Sequence, residues 1–226
     1  MRTPWLPAAL PLLVAATLAA QAPASPDPLR FAAELAAFDA EDAAAPPPAD
    51  AVLFVGSSSI RYWDVGRVFP TLATIRRGYG GSHVSDTRRL ADRLILRYRP
   101  AVVVFYAGDA DVAAGKDAAT IARDTLDLVS FIHDRLPGTG VVVIGTKPSP
   151  LHWRHMATIR DANRRVREGL DGAPRAAYAD AEAALLGADG HPRPDFYQEN
   201  RLNLNEAGYE AWTAALSPAI LRMARR

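Results

Sequence analysis

Cysteine is absent from all 226 residues. That excludes disulfides, thiol catalysis, a Cys-ligated zinc and a lipidated N-terminal cysteine. Neither sign of charge dominates, with Lys+Arg at 26 against Asp+Glu at 25. A nucleic acid would therefore meet no basic surplus, and none is expected as a partner. The five histidines show no metal-ligand spacing, and none stands in an H-E-x-x-H motif. No metal and no cofactor are called for. No internal repeat is visible. Beyond the N-terminal segment, no stretch is long and apolar enough to cross a membrane.

What is present fits a globular chain. It is 49% hydrophobic and 23% charged, long enough for one domain with a sizeable core. The arginine pairs Arg76-Arg77, Arg88-Arg89 and Arg164-Arg165 read as solvated faces. The first residues read as a secretory signal peptide over 1–24. Arg2 supplies the positive start and Leu6 to Ala20 the apolar stretch. Leu18-Ala19-Ala20 or Ala22-Pro23-Ala24 supplies the small residues of a cleavage site. The apolar stretch is short for a membrane anchor. The expectation is an exported protein, periplasmic or extracellular, with a single domain over 25–226.

A helix is expected over about 27–44, with Phe31, Leu35 and Phe38 on one face. Pro46-Pro47-Pro48 ends it, and the core begins at residue 51. Ala51–Val55 is a continuous apolar run, the mark of a strand buried on both faces. Further strands are expected at Leu72–Arg76, Ala101–Tyr106, Val141–Thr146 and Ala176–Tyr178. Helices are expected from Ser85 or Asp86 to before Pro100, from about Asp117 to Leu136, over Met156–Leu170 and over Glu206–Met223. Strands joined by helical crossovers are parallel and right-handed. The result is a three-layer α/β/α fold of about five parallel strands, in the flavodoxin-like order 2-1-3-4-5.

In such a sheet the loops after the strands share one rim, where ligands bind. Four loops carry candidates: Gly56-Ser57-Ser58-Ser59, Gly80-Gly81-Ser82, Gly108-Asp109-Ala110-Asp111 and Asn200-Arg201-Leu202-Asn203. A serine after the first strand lies near helix N-terminal N–H groups, which favour negative charge. Ser57 or Ser59 also reads as a plain helix cap.

Five blocks, FVGSSSIRYW, RRGYGGSHVSD, FYAGDADVAAG, KPSPLHW and ENRLNLNEAGYEAW, resemble in order those of the SGNH, or GDSL-type, hydrolases. The resemblance spans nearly the whole mature chain and is closest to exported bacterial acetylhydrolase-like members. It implies a serine ester hydrolase ancestry and a small ester or acylated carbohydrate as ligand. It also implies Ser58 as the nucleophile position, with the Ser58 and Gly81 N–H groups donating into an oxyanion hole. Three positions depart from the pattern. Ala110 stands where the family has the oxyanion-hole asparagine. Asn200 stands in place of the aspartate, and Asn203 in place of the histidine base. A carboxamide is not a base, so the chain is expected to be catalytically dead or severely impaired. An active esterase with a rearranged base is the alternative, with His83 first among the histidines and His191, His152, His155 and His133 behind it. A purely structural or binding domain is the third reading.

Overall fold

The computed structural model describes residues 27–225. The signal segment expected over 1–24 lies outside them. The described residues open with a 3₁₀ turn over Pro28–Phe31, capped by Asp27, and helix α1 (Ala32–Ala44). Phe31 and Leu35 are its buried anchors.

Five short strands follow: β1 (Val52–Gly56), β2 (Thr74–Gly78), β3 (Val102–Tyr106), β4 (Gly140–Ile144) and β5 (Ala176–Ala179). All pairings are parallel, and the order is β2-β1-β3-β4-β5, as the sequence predicts. β1, β3 and β4 are buried along their whole lengths, so their apolar residues need no alternation.

The side chains divide between two faces, as period-two geometry requires. Leu53, Val55, Val103, Phe105, Val141 and Val143 pack with Leu94, Leu128, Ile132 and Val166. That layer holds α1, α4 (Val84–Arg89), α5 (Ala91–Leu94), α7 (Ala118–Arg135) and α8 (Met156–Leu170). Val52, Phe54, Val102, Val104, Tyr106 and Val142 face Ile60, Trp63, Trp212, Leu216 and Ile220. Here lie α2 (Ser58–Arg61), α3 (Val65–Val68) and α9 (Glu206–Ala224). The remaining helix, α6 (Asp109–Ala113), follows β3 at the rim.

Some expectations change. The helix before Pro100 is three pieces: α4, α5 and a 3₁₀ turn at Leu96–Tyr98 that ends on left-handed Arg99. Its start is neither Ser85 nor Asp86. His83 is the N-cap residue, because the Asp86 carboxylate reaches back to accept the His83 N–H at 2.9 Å. Arg77 is no solvated residue. It is 5% exposed and paired with Glu41 and Asp42 of α1, with Tyr98 accepting from its Nε. Arg164 and Arg165 are exposed and paired to Asp161.

Candidate active site

β1 stops against β3. Gly56 has φ +138°, and a Cβ there would lie 1.9 Å from the Tyr106 carbonyl oxygen. Only glycine fits that approach. The Ser57 N–H then bonds that same carbonyl at 3.0 Å, and the chain turns at once into α2. Ser57 and Ser59 are buried, and their hydroxyls are unpartnered. Ser57 sits at the N-cap but makes no capping hydrogen bond. The middle serine, Ser58, is half-buried, and its Oγ donates to Asn203 Oδ1 at 3.0 Å across 145 positions of sequence.

Asn203 is fixed from behind. Asn200 Oδ1 accepts the N–H groups of Leu202 and Asn203 at 3.0 and 2.9 Å, and the Asn203 carbonyl accepts from the Gln198 N–H at 2.8 Å. The two residues after Asn203 join this turn to the long α9. There Asn205 caps the helix by accepting the Gly208 N–H at 3.0 Å. Asn200 therefore meets Asn203 through its backbone N–H.

The loop after β2 packs on α2. A Cβ at Gly80 would sit 3.9 Å from Ser58 Cβ. Gly81 takes φ +73°, a conformation open to glycine at little cost. Its carbonyl accepts from Arg30 Nη2 at 2.9 Å, and Arg30 also pairs with the buried Asp86 at 3.0 Å. The N-terminal turn thus holds the second loop in place beside Ser58.

Ala110 is the second residue of α6 and offers only a methyl group. The carboxylates on either side of it are buried, and each holds a buried lysine. Asp109 accepts from Tyr106 Oη at 2.6 Å and from Lys147 Nζ at 3.1 Å. Asp111 accepts from Lys116 Nζ at 2.7 Å and from the Val84 N–H at 3.0 Å. Burial, and then the Asp109 charge, raise the Tyr106 phenol well above its ordinary pKa. Lys116 and Lys147 are the only lysines in an arginine-rich chain. A buried ammonium is strongly hydrated in water, so each depends on its carboxylate partner to offset the lost solvation. Their rarity is the sequence signal that marks them, and it belongs to no motif.

Two histidines face these carboxylates. His83 Nδ1 lies 3.9 Å from Asp111 Oδ1, and His152 Nδ1 lies 3.9 Å from Asp109 Oδ1. Both rings are buried, and neither Nδ1 has a hydrogen-bond partner. Burial lowers both pKa values, although the facing carboxylate opposes it, so both are neutral at pH 7. His152 borders the last block, since the Leu151 N–H bonds the Arg201 carbonyl at 3.0 Å. His133 and His155 are half-buried and His191 is exposed. Among the described residues no group of three or more histidines and carboxylates could hold a metal ion.

The aromatic residues near the rim loops differ in exposure. Trp63 and Tyr79 are wholly buried core residues, whereas Tyr62 is 49% exposed. Trp153 is half-buried at the edge of a groove.

A parallel five-stranded sheet with a serine at the end of its first strand defines an SGNH-type hydrolase fold. The chain belongs to the GDSL-like lipase/acylhydrolase family, whose sequence model matches residues 61–211. It is 29% identical over 182 residues to the platelet-activating factor acetylhydrolase IB subunit alpha1 of Bos taurus, covering 76% of this chain and 75% of that one. The Homo sapiens subunit is likewise 29% identical, covering 76% of each chain. Among solved structures, a GDSL-like lipase from Bacteroides thetaiotaomicron superposes with a TM-score of 0.70 at 18% identity, covering 83% of this chain and 97% of that one. A carbohydrate esterase family 3 protein from Talaromyces cellulolyticus gives 0.63 at 18% identity, covering 77% and 97%.

Proposed function

We propose that this chain is an exported SGNH-fold protein that binds a small ester or acylated carbohydrate and no longer hydrolyses it at an enzymatic rate. Residues 1–24 are its cleaved signal peptide, and 25–226 form a single domain. Ser58 occupies the nucleophile position. The Ser58 and Gly81 N–H groups are the oxyanion donors, and Ala110 replaces the third. Asn203 stands at the base position and Asn200 at the position of its acid partner.

The observation that carries this reading is the hydrogen bond from Ser58 Oγ to Asn203 Oδ1 at 3.0 Å. The contact is the one a serine would make with its general base, but its acceptor is a carboxamide. A carboxamide oxygen accepts a hydrogen bond and cannot take the proton near neutral pH. The hydroxyl therefore stays a weak nucleophile. Loss of a histidine base costs on the order of 10⁶ in kcat in a serine protease. Loss of a side-chain oxyanion donor costs roughly 10²–10³. The two losses are not additive, and the first alone suffices. The ligand class draws support from relatives named as an acetylhydrolase and a carbohydrate esterase.

The test is restoration. The triple change Ala110→Asn, Asn200→Asp and Asn203→His should create Ser58-dependent hydrolysis of a short aryl acetate. A folded triple variant without it would count against the assigned positions.

A second reading has one observation in its favour. His152 is buried, and its Nδ1 faces Asp109 Oδ1 at 3.9 Å with neither atom hydrogen-bonded; an approach of about 1 Å would pair them as a base with its orienting carboxylate. An active protein using it would lose turnover in His152→Gln as well as in Ser58→Ala.

A further inference from the structure

A groove of about 270 Å³ opens beside the last block. It falls just below the usual range for ligand pockets, roughly 300–1,000 Å³, and suits a single ring. Trp153 and His191 form one wall, with ring centroids 4.9 Å apart. Arg160, paired to Glu182, lies 5.7 Å from the indole centroid and steadies it. Pro192 and Tyr197 continue the apolar surface, and Gln198 and Arg201 supply its polar groups.

The charge of the groove is one-sided. No lining residue is acidic. Arg201 is exposed, and no carboxylate lies within ion-pair distance of it among the described residues. Asp189 touches His191, its Oδ2 lying 3.8 Å from Nδ1, but does not line the groove. Arg201 is also held at φ +59°, a left-handed conformation that glycine adopts more readily. Arg99 and Arg175 take the same left-handed conformation, and among the described residues the Arg201 guanidinium has no hydrogen-bond or ion-pair partner.

The groove adjoins the candidate site. The Arg201 carbonyl accepts from Leu151, and Gln198 donates its N–H to Asn203, whose side chain meets Ser58. We propose that this groove binds a sugar ring carrying a carboxylate, that is, a hexuronic acid residue of an oligosaccharide. The C–H face of the ring lies on the Trp153 and proline wall. The carboxylate takes the Arg201 fork; Gln198 Nε2 is held by the Leu204 carbonyl and His191 Nδ1 by the Asp189 carbonyl, so Gln198 Oε1 and His191 Nε2 meet hydroxyls. The proposal rests on the reading of the rim as a ligand site and names the class of ligand.

The test is binding of an oligosaccharide with one hexuronic acid residue, against the same oligosaccharide with that carboxyl reduced to the alcohol. Calorimetry and tryptophan fluorescence give the readouts. The acid form is expected to bind at least tenfold tighter, and added salt should erode the difference. Arg201→Gly should abolish the preference while leaving the thermal midpoint unchanged or higher, because the glycine relieves the backbone. Trp153→Phe, a milder change than Trp153→Ala, should weaken both ligands. Equal affinity for the two forms, no binding of either, or a preference surviving in Arg201→Gly would overturn the proposal. Aryl acetate hydrolysis by the triple variant does not need this groove, so it reports on the Ser58 assignment separately.

Discussion

The Ser58 hydroxyl donates to the Asn203 carboxamide across 3.0 Å, and two loops separated by most of the sheet meet at that bond. A serine hydroxyl and a carboxamide satisfy each other as polar groups.

The turn that presents Asn203 depends on Asn200. Its Oδ1 takes two backbone N–H groups. Asn200→Ala should cost about 1 kcal/mol in urea denaturation, whereas Asn200→Asp, which offers the same acceptor, should stay within about 0.5 kcal/mol of the parent. Equal losses in both variants would count against the turn as the residue's structural role.

Lys147 is the counter-ion of a buried carboxylate. Lys147→Met leaves Asp109 uncompensated and should destabilise by about 3–5 kcal/mol. Adding Asp109→Asn should recover most of that loss. A double variant no more stable than Lys147→Met would show that the pair is not coupled.

At Gly56 a methyl group has no room, since the Tyr106 carbonyl oxygen is 1.9 Å from the Cβ position. Gly56→Ala should cost more than about 3 kcal/mol or prevent folding, read by expression and thermal unfolding. Gly138→Ala, where the added Cβ meets nothing within 4 Å, is the control that should fold normally.

Acid should loosen the fold through His83 and His152. Their folded pKa values are depressed, chiefly by burial. Below about pH 6.5 the unfolded chain takes up protons that the folded chain refuses. Stability is therefore full above that pH and falls as pH drops toward the lowered folded values, by at most about 1.4 kcal/mol per pH unit for each histidine. His83→Gln with His152→Gln should flatten the fall between pH 6.5 and 5. An unchanged slope would exclude both rings as its source.

The strand order and the outer helices were legible because β1, β3 and β4 are unbroken apolar runs and the crossover helices are amphipathic. The start of α4 after His83 was not, because Asp86 acts from inside the helix, as a back-reaching acceptor of the His83 N–H, and not from its cap. Arg77 was misread for a related reason. Arginines in pairs look solvent-facing, and only the folded α1 brings Glu41 and Asp42 to one of them. At the rim, the loops that carry Ser58 and Asn203 were legible from block order, and the hydrogen bond between the two side chains is what the structure adds. Asp109 with Lys147 and Asp111 with Lys116 were not, because partners 38 and 5 residues apart follow no local motif. The Leu151–Arg201 hydrogen bond that ties the His152 loop to the last block was not legible either, because it joins loops far apart in sequence.

The most direct measurement is hydrolysis of a short-chain aryl acetate by the purified chain, its Ser58→Ala variant, and the Ala110→Asn, Asn200→Asp, Asn203→His variant with and without Ser58. We predict equal background rates for the first two and recovered turnover in the third that disappears with Ser58. Turnover by the unaltered chain that Ser58→Ala abolishes would contradict the claim that this serine has no base.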